Sequence, residues 1–436
     1  MPTTRLSGQL LEEIPAEHHP LRKIRVVTAA AVFDGHDAAI NIMRRVLVAQ
    51  GAEVIHLGHN RSVDEVVTAA LEEDAQAIAV SSYQGGHLEY FQYMMDLLRE
   101  RDGGSIRVFG GGGGVILPAE IEQLQAYGVT RIFSPEDGQR MGLVGMIQAM
   151  LGRCADDLAA DAGEDWSGLM EVEAGREILR NRRTLARCIT ALEDGQIGPG
   201  VRAALAQAAE KTTAPVLGIT GTGGSGKSSL TDELIRRLRF DQNDTLQIAV
   251  IAMDPSRRKT GGALLGDRIR MNAIAPWQDR RRVFMRSLAS RGTRSGTAVG
   301  SGLTSDLSDV IAACKVAGFD LILVETAGIG QGDADIVPLV DLSLYVMTPE
   351  FGAVSQLEKI GMLDFADFVA INKFDRRGAQ DALRAVAKQV QRNREQWDRM
   401  AEEMPVYGTQ ASRFNDDGVT ALYQGLLPRL AALGTG

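Results

Sequence analysis

Cysteine is scarce in this sequence, which has three cysteines among 436 residues and no Cys-x-x-Cys pair. Cys154, Cys188 and Cys314 lie far apart along the chain, which favours a reducing compartment. The sequence also lacks any run of about 18 apolar residues, so no membrane-spanning helix is expected. The first 20 residues are polar and lack the apolar core of a signal peptide. These absences predict a cytoplasmic protein.

An excess of basic residues is absent as well. Asp and Glu, 56 in all, outnumber the 47 Lys and Arg, and the net charge at pH 7 is −9. Such a charge argues against nonspecific binding to nucleic acid or to an anionic membrane. The hydrophobic content of 44% is typical of a globular protein, and the length allows two or three domains with their own cores.

The first part of the chain alternates between short apolar segments and amphipathic segments. Strands are predicted at residues 23–28, 53–56, 77–80, 106–109 and 131–133. Five such units predict an α/β domain with a flavodoxin-like, doubly wound parallel sheet over residues 23–151, after an N-terminal leader of residues 1–22. In this architecture ligands bind at the carboxyl ends of the strands.

The sequence changes character over residues 152–212, where an acidic stretch is followed by two helical patterns. We interpret this part as a helical linker. A second α/β domain is predicted over residues 213–436. Its expected strands lie near residues 216–220, 247–252, 321–325, 342–347, 368–372 and 404–407.

A glycine-rich run at the start of the second domain matches the phosphate-binding pattern G-x-x-x-x-G-K-[ST]. It extends from Gly221 to Ser228, after an apolar strand and before a helical segment. Backbone N–H groups of such a loop surround a phosphate chain at a helix N-terminus. Lys227 is expected to reach the outer phosphates and Ser228 to bind Mg²⁺. The residues predicted to bind the phosphates are Gly223, Gly224, Ser225, Gly226, Lys227, Ser228 and Ser229.

A second motif, farther along the chain, predicts that the base is guanine. Asn372, Lys373 and Asp375 form an N-K-x-D sequence after an apolar strand. The Asp375 carboxylate can accept hydrogen bonds from guanine, whereas adenine would leave it unpaired. Gln410 and Ala411, after the last predicted strand, are expected to support the base with their backbone. GTP and GDP are therefore the expected nucleotides.

Three acidic residues between these motifs are suited to Mg²⁺. Asp254 and Glu325 end predicted strands, and Asp267 lies in a glycine-rich loop. Carboxylate oxygens are ligands that Mg²⁺ prefers. Gly328 follows Glu325 closely, and its backbone N–H could contact the γ-phosphate.

The first domain has its own candidate site. Asp34, Gly35, His36 and Asp37 follow the first predicted strand, where a ligand is expected. An imidazole can serve as an axial ligand of cobalt, and a nearby carboxylate such as that of Asp34 would fix its tautomer. Two further elements end neighbouring strands in the expected crevice, and they contain Ser81, Tyr83, Gly110 and Gly111.

The motifs of the second domain resemble those of the G-protein chaperones of adenosylcobalamin-dependent acyl-CoA mutases, which are related to the ArgK proteins. The shared segments are Asp-Pro-Ser from Asp254, Thr-Gly-Gly-x-x-Leu-Gly-Asp to Asp267 and Glu-Thr-x-Gly-x-Gly-Gln from Glu325. The resemblance implies that Mg²⁺ is surrounded by Ser228, Asp254, Asp267, Glu325 and Thr326. It also implies that Arg270 approaches the phosphates and that Lys227, Asp267 and Glu325 are the catalytic residues.

The motifs of the first domain resemble the D-x-H-x-x-G, S-x-L and G-G elements of cobalamin-binding domains. The resemblance implies that His36 is the cobalt ligand and that Ser81 binds the displaced base of the cofactor. Gly110 and Gly111 would then pack against the nucleotide tail. Two positions depart from the pattern, because Ala39 replaces the motif's glycine and Tyr83 replaces its leucine.

The two domains in this order resemble the N-terminal part of the fused isobutyryl-CoA mutases, whose catalytic barrel follows the G-protein. The resemblance implies a Mg²⁺-dependent GTPase that serves adenosylcobalamin loading, gating or repair, with a mutase barrel in cis or in trans as partner. We expect this chain to lack the barrel and therefore to have no mutase activity alone. An adenosyltransferase is a further expected partner, and a homo-oligomer is the expected assembly. The alternative is a non-enzymatic cobalamin carrier or sensor in which GTP only sets the conformation.

Overall fold

The structure is a computed structural model, and it describes residues 23–32, 34, 37–160, 163–256, 260–277, 280–290, 301–328, 333–351, 357 and 360–434. Packing divides the chain into two compact units. Unit 1 comprises Met1–Asp165, Arg182–Thr190 and Asp254–Ile269. Unit 2 comprises Trp166–Asn181, Ala191–Met253 and Arg270–Gly436. The predicted domain boundary at residue 213 assigns residues 254–269 to the second domain, whereas packing groups them with unit 1.

Unit 1 is built on a parallel sheet with helices between its strands. Its strands are β1 (Arg25–Ala31), β2 (Glu53–Arg61), β3 (Ala77–Ser81), β4 (Arg107–Gly111), β5 (Arg131–Phe133) and β8 (Ala263–Leu265). Its helices are α1 (Asp37–Ala49), α2 (Val63–Glu72), α3 (His87–Glu100), α4 (Pro118–Tyr127) and α5 (Pro135–Ala160). The strand order β5-β4-β3-β1-β2-β8 contains the flavodoxin-like order that the sequence predicts.

The sequence explains why these segments form a buried sheet. All seven residues of β1 are buried, as expected for a parallel strand with helices on both faces. The core on one face joins Val26 and Val54 of the sheet to Leu47 of α1 and Ile147 of α5. Helix α2 begins at a capping box, because Ser62 accepts from the backbone N–H of Glu65 while the Glu65 carboxylate accepts from that of Ser62.

The sixth strand of this sheet was not predicted. Strand β8 pairs in parallel with β2, with Ala263 opposite Glu53 and Leu265 opposite Ile55. It has three residues inside a glycine-rich segment, and its partner lies about 200 residues earlier in the sequence. Local patterning cannot show such a distant pairing.

Unit 2 contains a seven-stranded sheet in the order β13-β12-β11-β6-β10-β7-β9. Its strands are β6 (Val216–Gly221), β7 (Ile248–Pro255), β9 (Val283–Ser290), β10 (Leu321–Glu325), β11 (Leu342–Met347), β12 (Phe368–Asn372) and β13 (Val406–Thr409). The helices from residue 172 onward are α6 (Val172–Arg180), α7 (Arg182–Glu193), α8 (Pro199–Ala209), α9 (Lys227–Asp241), α10 (Ser301–Ala317), α11 (Met362–Phe365), α12 (Ala379–Asn393) and α13 (Asp417–Leu433).

The fold class predicted from the sequence is confirmed for both sheets, and residues 172–209 are mainly helical. Strand β9 was not predicted. The three cysteines are buried and form no disulfide. Burial raises the pKa of the thiols of Cys154 and Cys188 to about 12, so both are protonated at neutral pH. No helix among the described residues is both long and apolar enough to cross a membrane.

Candidate functional site

The glycine-rich run in unit 2 connects the central strand β6 to the N-terminus of helix α9. Gly224 and Gly226 have φ of 73° and 92°, a region that L side chains rarely adopt, so these glycines permit the tight loop. The hydroxyls of Thr222 and Ser225 are buried without a hydrogen-bond partner among the described residues. Donors left unpaired around a helix N-terminus suit a phosphate chain.

Lys227, the first residue of α9, is buried in this loop. Its Nζ donates to the carbonyl oxygens of Gly221, at 3.0 Å, and Thr222, at 3.3 Å. Gly328 packs against the same loop, since a Cβ added there would lie 2.5 Å from the Gly221 oxygen. The structure thus brings Lys227 and Gly328 together, as expected for residues that share one phosphate site.

Asn372 joins the phosphate loop to the base-binding motifs. Its Nδ2 donates to the carbonyl oxygen of Ser225 at 2.8 Å. Its Oδ1 accepts from the backbone N–H of Ala411, at 3.0 Å, and from the Thr409 hydroxyl, at 3.3 Å. Three segments distant in sequence therefore meet at one buried amide.

The remaining residues that are predicted to bind the base surround this junction. The Lys373 Nζ donates to the carbonyl oxygen of Gly224 at 2.7 Å, and the Lys373 backbone has a φ of 59°. The Gln410 N–H is held by Asp416 at 3.1 Å. The side chain of Asp375 is exposed at the end of the motif, where it can meet the edge of a base.

Glu325 lies beside the phosphate loop, at the end of β10. It is 2% exposed, and its carboxylate accepts from the Ser228 hydroxyl at 2.7 Å and from the Thr231 hydroxyl at 3.1 Å. Two oxygen-bearing groups of the predicted Mg²⁺ set thus lie within hydrogen-bond distance, and their chemistry fits this ion. Sequence reasoning missed Thr231, although its position one turn after Lys227 places it on the same side of α9.

The other predicted Mg²⁺ ligands are placed as follows. The Thr326 hydroxyl donates to that of Thr220 at 2.8 Å. Asp254 and Asp267 belong to unit 1, where Asp254 accepts from the Gly266 N–H at 3.1 Å and Asp267 is buried. Arg270 is exposed. No three His, Cys, Asp or Glu side chains within the described ranges are close enough to hold a metal ion. The full Mg²⁺ set stays a prediction.

The three motifs of unit 1 follow strands β1, β3 and β4, which are neighbours in the sheet. Their loops are tied together by hydrogen bonds. The buried Asp34 carboxylate accepts from the Tyr83 N–H at 2.8 Å, and the Ser82 N–H donates to the Gly111 oxygen at 2.9 Å. Asp34, Tyr83 and Gly111 therefore lie at one edge, as predicted. Gly35 and His36 lie outside the described residues, and so does the side chain of Asp37.

A cavity of about 200 Å³ opens at this edge. Its lining is largely apolar and includes Ile40, Leu47, Phe109, Phe133 and Met150. It also includes the predicted residues Ser81, Tyr83, Gly110 and Gly111.

The lining of this cavity fits the flat, mostly apolar base of a cobalamin tail. The Ser81 hydroxyl is buried and has no hydrogen-bond partner within the described part of the chain. Close approach of the backbone at the cavity wall requires glycine, because a Cβ at Gly112 would lie 2.9 Å from Ile116 Cγ1. The cavity thus combines an apolar slot with one polar group that is ready to bind a ligand atom.

Comparison with known proteins identifies the family. Residues 185–427 match the model of the methylmalonyl Co-A mutase-associated GTPase MeaB. The chain belongs to the MeaB GTPase family. Residues 24–143 match the B12 binding domain, so this MeaB-family GTPase is joined to a cobalamin-binding domain in one chain.

Several curated relatives are similar to this MeaB-family chain. The "Fused isobutyryl-CoA mutase" of Cupriavidus metallidurans is 69% identical over 95% of this chain and 36% of its own length. That of Nocardia farcinica is 60% identical over 96% of the chain and 37% of its own length. "GTPase ArgK" of Escherichia coli is 35% identical over 36% of the chain and 44% of its own length. The chain thus spans little more than a third of the fused relatives.

Proposed function

We propose that this chain hydrolyses GTP with Mg²⁺ and couples hydrolysis to the loading, gating or repair of adenosylcobalamin for an acyl-CoA mutase of the isobutyryl-CoA type. One observation carries the proposal. In unit 2 the Asn372 amide joins the phosphate loop to the guanine motif, and in unit 1 an apolar cavity is lined by a serine hydroxyl that has no hydrogen-bond partner among the described residues. The chain's family supports the GTPase and the cobalamin domain. The names of the fused relatives support the mutase as partner in cis.

Hydrolysis depends on positioning and on neutralising charge. In this proposal the phosphate loop holds the phosphates with its backbone N–H groups, and Lys227 turns from its loop carbonyls to the outer phosphates. Ser228, Asp254, Asp267, Glu325 and Thr326 hold Mg²⁺, which neutralises the developing charge when bound. The Gly328 N–H contacts the γ-phosphate and Arg270 approaches the phosphates.

The cobalamin half of the proposal assigns roles to the residues after β1, β3 and β4. His36 would hold the cobalt of the cofactor through its imidazole, and the buried Asp34 carboxylate would support the orientation of that ring. The Ser81 hydroxyl would donate a hydrogen bond to the base of the cofactor in the apolar cavity. Gly110 and Gly111 allow the nucleotide tail to approach the sheet. Bound cobalamin supplies the organometallic chemistry, and the chain binds, orients and shields it.

The assembly around this module completes the proposal. The mutase barrel is the partner in cis or in trans, with an adenosyltransferase as cofactor donor, in a homo-oligomer in the cytoplasm. Isolated turnover should be slow, because no water-positioning residue is evident at the described part of the site and Gln331 lies outside it. A partner that orders the loops around Asp267 and Glu325 should accelerate hydrolysis.

The test combines two measurements. Purified chain should release phosphate from GTP over many turnovers and not from ATP, and bound cobalamin should show the spectrum of a protein-histidine complex with its own base displaced. His36→Ala should lose that spectrum and most of the affinity. GTP binding without turnover, in the presence and absence of a mutase barrel, would instead support a carrier in which GTP sets the conformation. An unchanged spectrum in His36→Ala would refute the cobalt assignment.

A further inference from the structure

Helix α5, which follows strand β5 in unit 1, is broken within its 26 residues. Gly142 has a φ of 64° and a ψ of 172°, a backbone conformation that is not helical and that is essentially restricted to glycine. The break separates residues 135–141, here called the rim segment, from residues 143–160, here called the wall segment. Gly142 is exposed, and a Cβ added there would meet no described atom within 4 Å. The backbone conformation, and not crowding, therefore requires glycine.

Both segments line the cavity of about 200 Å³ in which the tail of cobalamin is proposed to bind. The wall segment presents one helical face to it, because its lining residues are spaced as i, i+3, i+4 and i+7. These residues are Leu143, Met146, Ile147 and Met150. The rim segment contributes Pro135 and Gly138.

An unbroken helix would turn these two sets of residues away from each other. Each residue of an α-helix advances about 100° around the axis, since 3.6 residues complete a turn. Gly138 precedes Leu143 by five residues, so the two would lie about 140° apart in a continuous helix. The break at Gly142 thus allows Gly138 to line the same cavity as Leu143.

The rim segment is held beside β5 by its own contacts. The Ser134 N–H donates to the Asp137 carboxylate at 3.2 Å, and the Asp137 N–H donates to the Ser134 hydroxyl at 3.2 Å. The guanidinium of Arg131, on β5, donates to the same carboxylate at 2.8 Å. Pro135 lies against the loop after β4, because a Cβ added at Gly114 would be 3.5 Å from its Cγ. These contacts fix the rim segment independently of the wall segment.

The wall segment is held to the same sheet by other contacts. Ile147 and Cys154 are buried in the core that covers one face of the sheet. Farther along, the guanidinium of Arg107, on β4, donates to both oxygens of the Asp157 carboxylate at 2.7 Å. Because each segment is fixed separately, the chain must join two set directions, and Gly142 is the residue at which it does so.

We propose that the break at Gly142 shapes the cavity for the nucleotide tail of cobalamin, so that Gly142 is a positioning residue for this part of the cofactor. The inference rests on the proposed function, because it presumes that cobalamin binds at this cavity. A straight α5 would take the rim segment away from the cavity, and the apolar base of the tail would stay partly in water. The corrin ring, which is held through cobalt in the proposed function, does not depend on the break.

A comparison of two corrinoids in the full chain isolates the contribution of the tail. Cobalamin carries the nucleotide tail, whereas cobinamide has the corrin ring and the cobalt without it. The dissociation constant of cobinamide divided by that of cobalamin, here called the tail factor, measures what the cavity adds. For the unsubstituted protein we expect a tail factor of at least about 10, because burial of an apolar base and one hydrogen bond both favour cobalamin.

Gly142→Ala should reduce the tail factor about tenfold, because alanine opposes this backbone conformation and favours a continuous helix. The affinity for cobinamide should stay the same, which a general loss of structure would not give. Gly152→Ala is the matched control, because Gly152 is an exposed helical residue of the wall segment and an added Cβ there would meet no atom of the described residues within 4 Å. It should keep the tail factor and raise the melting temperature.

Gly138→Leu tests the rim segment without changing the break. A Cβ added at Gly138 would have no neighbour within 4 Å in the part of the chain that the structure describes, so a leucine side chain has open space at the cavity. By occupying the space of the tail, it should reduce the tail factor and leave cobinamide binding unchanged. If Gly142→Ala fails to fold, Gly138→Leu decides the question.

The inference is overturned if Gly142→Ala keeps the full tail factor or weakens both corrinoids equally. An unchanged tail factor in Gly138→Leu would overturn it too, because the rim segment would then not face the tail. An unsubstituted protein that binds cobalamin no more tightly than cobinamide, or that binds neither, would contradict the proposed function itself. The two failures are therefore distinguishable.

Discussion

At the scale of one residue, Ser81 has a buried hydroxyl that lowers the stability of the fold and that we propose binds a ligand. Its hydroxyl is buried and has no hydrogen-bond partner in the part of the protein that the structure describes. A buried polar group without a partner costs about 1–3 kcal/mol. Such a group is expected where a ligand atom completes the hydrogen bond.

Ser81→Ala should therefore weaken cobalamin binding without lowering stability. We expect the free energy of unfolding to stay the same or rise, and cobalamin to bind about tenfold more weakly through loss of one hydrogen bond. Ser343→Ala is the matched control, because the Ser343 hydroxyl is also buried but donates to Asp367 at 2.9 Å in unit 2. It should lower the melting temperature without affecting cobalamin. A Ser81→Ala protein with full cobalamin affinity would refute the proposed role.

The Asp375 side chain should set the choice of base. Asp375→Asn should weaken GTP binding and shift preference toward xanthine nucleotides, because an amide can donate where the carboxylate accepts. Competition with fluorescent nucleotide measures both effects. Asp381→Asn changes an exposed aspartate on α12 and should have no effect. Equal affinity of the unsubstituted protein for ATP and GTP would contradict this interpretation of the motif.

Much of the site could be predicted at the residue scale because its motifs are contiguous. Within the phosphate loop, and within the guanine motif, the residues follow one another closely in the sequence. A hydrogen bond from Asn372 connects the two motifs. Thr231 was missed because it belongs to no contiguous motif, and its role appears only when β10 brings Glu325 to helix α9.

Helix α9 acts as a single platform at the scale of elements. It carries Lys227, Ser228 and Thr231 within its first turns, and the last two hold the Glu325 carboxylate. The glutamate is thereby fixed by a rigid helix rather than by a loop. Such support would place Glu325 precisely for the part in hydrolysis that we propose for it.

Thr231→Val should reduce the rate of hydrolysis with little change in nucleotide affinity. Valine keeps the shape of threonine but cannot donate to Glu325, so the carboxylate loses one of its two described hydroxyl partners. We expect kcat to fall about tenfold, the value of one hydrogen bond of about 1.4 kcal/mol, with an unchanged KM. Thr231→Ser keeps the hydroxyl and should restore the rate. A Thr231→Val protein with unchanged kcat would exclude this positioning role.

The elements that the sequence predicted are those with strong local apolar patterns. Strands β5, β10, β11 and β12 have the expected bounds, and the other predicted strands differ by a few residues at their ends. Strand β8 could not be predicted. It has only three residues, which lie within a glycine-rich segment, and they form a strand only by pairing with β2. Tertiary pairing decided its structure.

At the scale of the whole molecule, the two candidate sites are built on different sheets. The phosphate loop follows β6 in one sheet, and the cavity lies at the ends of β3 and β4 in the other. The alternation of apolar and amphipathic segments in two separate parts of the sequence predicted two sheets. Residues 254–269 lie between unit 2 residues in the sequence but pack with unit 1. This could not be predicted, because it depends on the pairing of β8 with β2 and on the buried ion pair between Arg268 and Glu72.

The most direct test of two separate sites uses Lys227→Ala. Phosphate release from GTP and cobalamin binding are measured in one preparation of this variant. Lys227 is buried in the phosphate loop, and its loss removes the cation that we propose to reach the outer phosphates. We expect the folded variant to release no phosphate from GTP and to bind adenosylcobalamin with the spectrum of the unsubstituted protein. Retained GTP hydrolysis, or loss of cobalamin binding in a folded variant, would contradict it.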